Sequence, residues 1–194
     1  MNQTPQADLG VAAMVSYLPD PLGSYLRQLR NRLPGEHNPQ AHITILPPRR
    51  LPVAVEVAGE QARATLQRFH AFSVELATVR AFPETNVLYI EPGEGQASIR
   101  RLYEELNSGS LASVEQFAFL PHLTISGPIG ESDLPEARHL AEKIWRAAEC
   151  PRQFPLEEIV FLWRGPGAGD GEWTRLWSHT LQPAQAAALT ARTY

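Results

Sequence analysis

The chain has 194 residues, of which 43% are hydrophobic and 20% are charged, and its formal net charge is −4 at pH 7. These values suit a globular protein with one domain or one body of two lobes, and they argue against broad, charge-driven binding to long nucleic acid. Cys150 is the only cysteine, which excludes an intramolecular disulfide and a multi-cysteine metal cluster.

The first half of the chain predicts strands and helices in alternation. Asp20-Pro21 is typical of a helix start, because aspartate caps a helix and proline suits its first turn. Leucines at helical spacing follow, and Pro34-Gly35 is typical of the end of that helix. After a loose segment at residues 1–10, we expect a strand at 11–18, a helix at 22–33, a strand from 42 to the prolines at 47–48, a helix at 58–69, and strands at 72–76 and 87–90.

The second half of the chain predicts a similar order of elements. Ser132-Asp133 opens the clearest helix of the chain, whose apolar residues lie on one stripe. The glycine-rich residues 165–171 lack the spacing of a dinucleotide-binding loop, so we expect a flexible hairpin loop there. The expected elements are a helix at 99–106, a strand at 117–126, a helix at 134–148, strands at 154–162 and 173–181, and a tail at 182–194.

Several predicted strands are adjacent in the sequence and have short connections. This pattern favours a mixed α+β fold with largely antiparallel sheets over a doubly wound parallel fold. The repeated order of helices and strands indicates two similar lobes. We therefore expect one bilobal domain over residues 11–181, with duplication as a hypothesis.

A short phrase occurs twice in the chain, as His42-Ile43-Thr44 and as His122-Leu123-Thr124. Side chains alternate between the two faces of a strand, so the histidine and the threonine of each phrase point the same way. The intervening apolar residue points the opposite way and can anchor the strand in a core. Two such strands facing each other would form a pocket with two imidazoles and two hydroxyls.

Two histidines on opposite sides of a phosphate can divide the work of proton transfer. One neutral imidazole takes a proton from the attacking water, and one protonated imidazole gives a proton to the leaving oxygen. Thr44 and Thr124 would donate hydrogen bonds to the non-bridging phosphate oxygens. No carboxylate cluster accompanies the pair, so the sequence implies no catalytic metal. A single His-x-Thr could be merely structural, whereas two copies in matching apolar settings favour the functional interpretation.

On these residues the chain resembles the two-histidine (2H) phosphoesterase superfamily, which contains the bacterial RNA 2',3'-cyclic phosphodiesterases, also called 2'-5' RNA ligases. Residues 119–125 match the second motif of that family closely, while the first motif is a looser match because residues 47–50 directly follow it. The resemblance implies a bilobal α+β fold with two mainly antiparallel sheets, outer helices and a central cleft. It also implies metal-independent chemistry without a cofactor, with the catalytic set His42, Thr44, His122 and Thr124.

The substrate class implied by the resemblance is RNA ends or small nucleotides with a 2',3'-cyclic phosphate, which would be opened to a 2'-phosphate. The reverse reaction would be 2'-5' ligation. The sequence does not decide between these directions, and it does not say which histidine is the base. Two alternatives stay open: a nucleotide-binding or RNA-end-binding module without turnover, and a metal site built on His42 and His122.

Four further residues are candidates for substrate binding. Arg49 follows the first motif and could bind phosphate, and Arg164 lies beside the glycine-rich loop. Tyr89 and Phe119 could stack on a base. The competing interpretation makes the arginines solvated loop charges and the aromatic residues parts of the core.

The sequence also carries expectations about the setting of the protein. No basic segment followed by an apolar one is present near the N-terminus, and nothing approaches the roughly 18 apolar residues of a membrane span. We therefore expect a cytoplasmic monomer that does not associate with membranes. The acidic balance favours small substrates over long RNA.

Overall fold

The computed structural model describes residues 8–35, 40–169 and 172–183, and within them it contains eight strands, four α-helices and one short 3-10 helix. Residues 1–7 of the loose segment expected at 1–10, residues 184–194 of the tail expected at 182–194 and the last two residues of the 165–171 loop lie outside the described residues. The helices are α1 Leu22–Arg30, α2 Val55–Leu66, α3 Gln96–Leu106 and α4 Leu134–Arg146, with the 3-10 turn at Gly109–Leu111. The strands are β1 Val11–Tyr17, β2 His42–Arg50, β3 Phe72–Ala81, β4 Val87–Pro92, β5 Leu123–Pro128, β6 Gln153–Leu156, β7 Glu158–Arg164 and β8 Thr174–Thr180.

The strands form two four-stranded sheets. The first sheet has the order β2-β1-β7-β8 and the second has the order β5-β4-β3-β6. Every named pair of strands is antiparallel. This confirms the expected α+β class, because short connections between neighbouring strands can only join antiparallel partners.

The two halves of the chain share one order of elements: a strand, a helix, a His-x-Thr strand and a helix. Each half then sends a strand into the sheet of the other half, since β3 pairs with β4 and β7 pairs with β1. In addition, α1 packs on β5 and α3 packs on β2. The two lobes are therefore interlocked, and the strand that carries each motif is covered by the helix of the opposite half.

The expected end of β2 at the proline pair was wrong, because the strand continues through Pro47 and Pro48 to Arg50. Val15 lies opposite Thr44, Met14 opposite Leu46 and Ala12 opposite Arg49, so β2 has one extra residue on each side of Leu46 and is bulged twice. Proline is tolerated in a bulge on an edge strand, where its missing N–H is not needed.

Two other strand boundaries were also wrong. β5 begins only at Leu123, because Phe117 is exposed and Pro121 has no N–H to donate to a strand partner. The strand expected at 154–162 is interrupted at Glu157, where the chain passes from the second sheet to the first. The sequence at 154–162 is mostly apolar throughout, because β6 and β7 both contribute buried residues to the core.

The helices bury the faces that their spacing predicts. In α4, Ala137, Ala141 and Trp145 are buried, and they lie on one side of the helix. The first helix ends three residues earlier than expected, at Arg30, and tight turns occupy the three residues before Pro34. In the part of the chain that the structure describes, none of the helices has the length and apolar character needed to cross a membrane.

Candidate functional site

The two His-x-Thr phrases lie on the outer strands of the two sheets, at the place where the sheets meet. β2 is the edge strand of the first sheet, β5 begins directly after His122 at the edge of the second, and the two strands contact each other. Ile43 and Leu123 are 0% exposed, whereas the flanking histidines and threonines are only partly buried. The alternation expected from the sequence is therefore present in both copies. The structure brings His42, Thr44, His122 and Thr124 to one region.

Both imidazoles are held by the same local hydrogen bond. His42 Nδ1 donates to the carbonyl of Gln40 at 2.9 Å, and His122 Nδ1 donates to the carbonyl of Leu120 at 2.7 Å. A carbonyl oxygen can only accept, so each Nδ1 must carry the proton. The neutral rings then have an unprotonated Nε2, which is the atom that can take up or release a proton.

The two histidines have different aromatic neighbours. The ring of Tyr17, the cross-strand partner of His42, lies 6.0 Å from the His42 ring. His122 is contacted by two rings, Phe82 at 5.0 Å and Tyr89 at 5.6 Å, and these two rings stack on each other at 4.1 Å. All three contacts to the imidazoles are close to perpendicular. Neither Tyr17 nor Phe82 was among the residues predicted from the sequence. Tyr17 could have been identified only from the register of β1 on β2.

Burial lowers the pKa of both imidazoles below the ordinary value of 6.5. The hydrogen bonds to Gln40 and Leu120 work against this effect. The pKa of His42 is lowered further by the charges of Arg30 and His122. Protonation of His122 therefore opposes protonation of His42. Both imidazoles are therefore mostly neutral near neutral pH, and a bound anion would favour their protonation.

We expect the free energy of unfolding to decrease as the pH falls below about 6.5. The pKa values of His42 and His122 are lowered in the folded state, so below about pH 6.5 the unfolded chain binds more protons than the folded chain. His179 acts in the same direction, since burial lowers its pKa as well. Thermal unfolding measured from about pH 8 to about pH 5 tests this. The double variant His42→Ala/His122→Ala should flatten the dependence without abolishing it, and an unchanged slope would contradict the assignment.

The prediction that Arg49 binds substrate was wrong, because its guanidinium is buried and bound to other residues. Its side chain is 1% exposed and forms an ion pair with Glu115 at 2.6 Å. Its other donors reach the carbonyls of Pro47 and Leu111 at 3.0 and 2.6 Å and the side-chain oxygen of Asn107. Since Arg49 lies opposite the fully buried Ala12, it faces the core and not the cleft. Arg49 fastens β2 to the segment that follows α3.

The remaining candidates lie at different places around the site. Tyr89 is the cross-strand partner of Thr124 and contacts His122, so it lies beside the second motif. Phe119 stacks on Tyr103 at 4.0 Å, just before the second motif. Arg164, at the end of β7, lies over the ring of Trp173 at 5.4 Å. Their contact with substrate stays a prediction.

A buried residue outside the sequence candidates connects α1 to the second motif. Arg30, the last residue of α1, is 1% exposed, and its Nη2 donates to the main-chain carbonyl of Thr124. Ser126 Oγ donates to the carbonyl of Pro34 in the same region. No local signal identifies Arg30, because a helix-terminal arginine is normally exposed.

A protein metal site requires several donor side chains close together. Among residues 8–35, 40–169 and 172–183, no three or more side chains of His, Cys, Asp and Glu come together to hold an ion. The expectation of metal-independent chemistry nevertheless stays a prediction that requires a chelation experiment.

Comparisons with known proteins find a matching family model and relatives in sequence. The family model described as "2'-5' RNA ligase superfamily" matches residues 18–168. A protein of Geobacillus sp. (strain WCH70) named "Putative phosphoesterase" is 40% identical over 60 residues, which are 30% of this chain and 30% of that protein. A protein of the same name from Geobacillus thermodenitrificans is 26% identical over 130 residues, covering 62% of this chain and 67% of that protein.

The fold is similar to that of Escherichia coli LigT. The structure of LigT in its apo form matches with a TM-score of 0.62 and 13% identity, covering 91% of this chain and 99% of LigT. LigT has also been crystallised in complex with NADP+, 3'-AMP, ATP and phosphate. At this level of identity the likeness supports the two-sheet architecture.

Proposed function

The chain belongs to the 2'-5' RNA ligase superfamily, and we propose that it opens the 2',3'-cyclic phosphate of RNA ends or small nucleotides to a 2'-phosphate. The observation that carries this proposal is the pair of His-x-Thr strands, with both Nδ1 atoms bound to main-chain carbonyls and both Nε2 atoms left for proton transfer. His42 and His122 act as the catalytic residues, and Thr44 and Thr124 bind the phosphate.

The reaction needs only one proton donor and one proton acceptor. Water forms a bond to phosphorus, and the bond from phosphorus to the 3'-oxygen breaks. One neutral imidazole takes the proton of the water, while the other, protonated, imidazole gives its proton to the 3'-oxygen. The hydroxyls of Thr44 and Thr124 donate to the non-bridging oxygens and stabilise the charge that develops on them. Exchange with solvent restores the two protonation states.

Ligation would be the same displacement at phosphorus with a different nucleophile. An RNA 5'-hydroxyl would replace water as the nucleophile in the attack on the cyclic phosphate, and the 3'-oxygen would leave as before. The same two imidazoles could serve either nucleophile, so water activity and substrate concentration decide the direction. The complexes of LigT with 3'-AMP and phosphate support a pocket that accepts a phosphate attached to a nucleoside.

We expect the purified protein to convert a 2',3'-cyclic nucleotide to the nucleoside 2'-phosphate in the presence of excess EDTA. Product separation by chromatography, with 31P NMR to distinguish the 2'-phosphate from the 3'-phosphate, measures the outcome. Running the same reaction on an RNA oligonucleotide with a cyclic end compares the two substrate classes. The order of reaction rates then ranks small nucleotides against RNA ends.

Three outcomes would contradict the proposal. Binding of the cyclic nucleotide without turnover would identify a nucleotide-binding or RNA-end-binding module. Loss of turnover in EDTA, with zinc or manganese in the purified protein, would indicate a metal site built on His42 and His122. A 3'-phosphate product would mean that the 2'-oxygen is the leaving group.

A further inference from the structure

Two buried side chains connect the end of α1 with the strand that carries the second motif. Arg30, the last residue of α1, is 1% exposed, and its Nη2 donates a hydrogen bond to the main-chain carbonyl of Thr124 on β5. In the opposite direction, Ser126 of β5 is 0% exposed, and its Oγ donates to the carbonyl of Pro34, shortly after α1. The contact between α1 and β5 therefore includes one polar donor from each side.

The backbone that follows α1 also packs closely against β5. Gly35 has a φ of +89°, and a β-carbon at this position would lie 2.9 Å from Ser126 Oγ and 3.3 Å from the carbonyl oxygen of Gly127. A side chain here would be strained and would also collide with β5. Because close-packed groups transmit displacements, a shift of the segment from Arg30 to Gly35 would also shift β5.

The position of β5 depends on these contacts because β5 is the edge strand of the second sheet, next to β4. An edge strand is hydrogen-bonded to another strand on one side only, so the sheet constrains it less than it constrains an inner strand. Burial lowers the pKa of Arg30 to about 10, so its guanidinium stays charged at neutral pH. A hydrogen bond from a charged donor is roughly twice as strong as one between neutral groups. Arg30 therefore adds a strong constraint at Thr124.

The hydroxyl of Thr124 belongs to the proposed phosphate site, and its position follows from that of its own backbone. Threonine is branched at the β-carbon and has few rotamers, so the hydroxyl moves with the strand. A misplacement of about 1 Å at a reacting centre can lower a rate by roughly 10²-fold. A contact that fixes the backbone of Thr124 therefore also fixes the donor that the phosphate needs.

From these contacts we infer that Arg30 is a positioning residue of the phosphate site: through the carbonyl of Thr124 it holds the hydroxyl of that residue against the non-bridging oxygens of the substrate. Ser126 supports the same position through its contact with Pro34. The inference rests on the proposed function, because that proposal assigns the phosphate to Thr124. Arg30 acts through Thr124 and takes no part in proton transfer.

A double-mutant cycle between Arg30→Met and Thr124→Val tests the inference, with inorganic phosphate as the probe. The dissociation constant is measured by 31P NMR titration, and kcat/KM is measured for a 2',3'-cyclic nucleotide. Arg30→Met should weaken phosphate binding by roughly tenfold when Thr124 is present. In the Thr124→Val background the loss should be about twofold, because the hydroxyl that Arg30 positions is then absent. A merely structural role would give equal losses in both backgrounds, and that result would overturn the inference.

The first motif supplies the matched cycle, because Thr44 carries the same hydroxyl on the other sheet. In the Thr44→Val background Arg30→Met should keep its full effect of roughly tenfold on phosphate binding and on kcat/KM. If the effect of Arg30→Met were reduced equally in the Thr44→Val and Thr124→Val backgrounds, Arg30 would not act through the second motif, and the inference would be wrong.

Arg152→Met is the matched control for the loss of an arginine. Arg152 also donates to a main-chain carbonyl, that of Trp145 at 2.8 Å, and its guanidinium lies over the Trp145 ring. Arg152→Met should leave the dissociation constant of phosphate unchanged. A tenfold loss in this variant would show that any broken contact of this kind weakens phosphate binding, which would contradict the inference.

Ser126→Ala repeats the cycle with a milder substitution if Arg30→Met does not fold. The variant removes the donor to Pro34 and keeps a small side chain in a fully buried position. We expect phosphate binding to weaken by roughly threefold, with a smaller loss in the Thr124→Val background. Equal factors in the two backgrounds would overturn the inference.

Failure of the proposed function gives a different result from failure of this inference. If Thr44→Val and Thr124→Val change neither phosphate binding nor turnover, the phosphate does not lie at these hydroxyls, and the proposed function and the inference are both wrong. If Thr124→Val weakens phosphate binding while Arg30→Met leaves it unchanged, the proposed phosphate site stands and only the role of Arg30 is refuted.

Discussion

Replacing either His42 or His122 by alanine is expected to lower kcat/KM for a 2',3'-cyclic phosphate by roughly 10²- to 10⁴-fold, the usual contribution of a positioned acid or base. Both imidazoles would act in the same transition state, so the double variant should lose less than the product of the two single effects. Initial rates of 2'-phosphate formation, with kcat and KM determined separately, measure the loss. The fold should persist, because the apolar residues Ile43 and Leu123 anchor the two strands.

His179→Ala is the control for this experiment. His179 lies on β8, opposite the fully buried Ile159, and burial lowers its pKa as it lowers those of the two motif histidines. It therefore matches His42 and His122 in residue type and in the direction of its pKa shift, but it faces away from the proposed site. Equal loss in His179→Ala would mean that the activity depends on stability, and retention of activity in His42→Ala would remove His42 from the reaction.

The orientation of the side chains within each motif was predictable, because both motifs lie on strands and the side chains of a strand alternate between two faces. A strand alternates its faces every second residue, so His42 and Thr44 must share one face once Ile43 is buried. The same holds for the second motif, and the order of elements placed both motifs on comparable strands. The register of the edge strands in two separate sheets could not be deduced from spacing. The closeness of the motifs was therefore a hypothesis that rested on the repetition.

Arg49 shows why the surroundings of the site were less predictable. The proline pair at 47–48 was interpreted as the end of β2, which made Arg49 a loop residue near the substrate. The strand in fact continues as an edge strand with two bulges, which together restore the alternation that begins at His42, so Arg49 faces the core. Its partners Asn107, Leu111 and Glu115 lie 58 to 66 residues further along the chain. Such long-range partners have no local signature in a single sequence.

Arg30 and Phe82 were missed for the same reason. Arg30 ends a helix, where an arginine normally reaches solvent, and only the packing of α1 on β5 buries it against Thr124. Phe82 directly follows β3 and resembles any aromatic residue at the edge of a core. Both residues acquire their roles from the exchange of elements between the two halves. The side chains of each motif and the face on which they lie are thus encoded locally. The residues that surround each motif are determined by the tertiary structure.

The two buried arginines, Arg30 and Arg49, contribute to the contacts that hold the interlocked lobes together. The His-x-Thr strand of each half is covered by the helical segment of the other half, and each of these contacts includes an arginine: Arg30 donates to β5, and Arg49 reaches from β2 to the segment after α3. The separation of the two imidazoles is therefore maintained by polar contacts between lobes in addition to the apolar core. Loss of one of these contacts should affect the stability of the whole chain.

Arg49→Ala is expected to lower the free energy of unfolding by roughly 3–5 kcal/mol, the usual cost of breaking a buried ion pair. The substitution removes a side chain that is 1% exposed, and it leaves the carbonyl of Leu111 and the carboxylate of Glu115 without their donors. Urea unfolding followed by circular dichroism measures the change, and the midpoint should fall with little change of slope.

The neighbouring residue supplies the control, because Arg50 has the same chemistry and the opposite burial. Its side chain is 83% exposed, and its ion pair with Asp8 is long, at 3.8 Å. Arg50→Ala should therefore change the free energy of unfolding by less than about 0.5 kcal/mol. Glu115→Gln, which keeps an acceptor for Arg49 and removes only the charge, should fall between the two. Equal effects of Arg49→Ala and Arg50→Ala would show that the Arg49 contacts do not hold the lobes together.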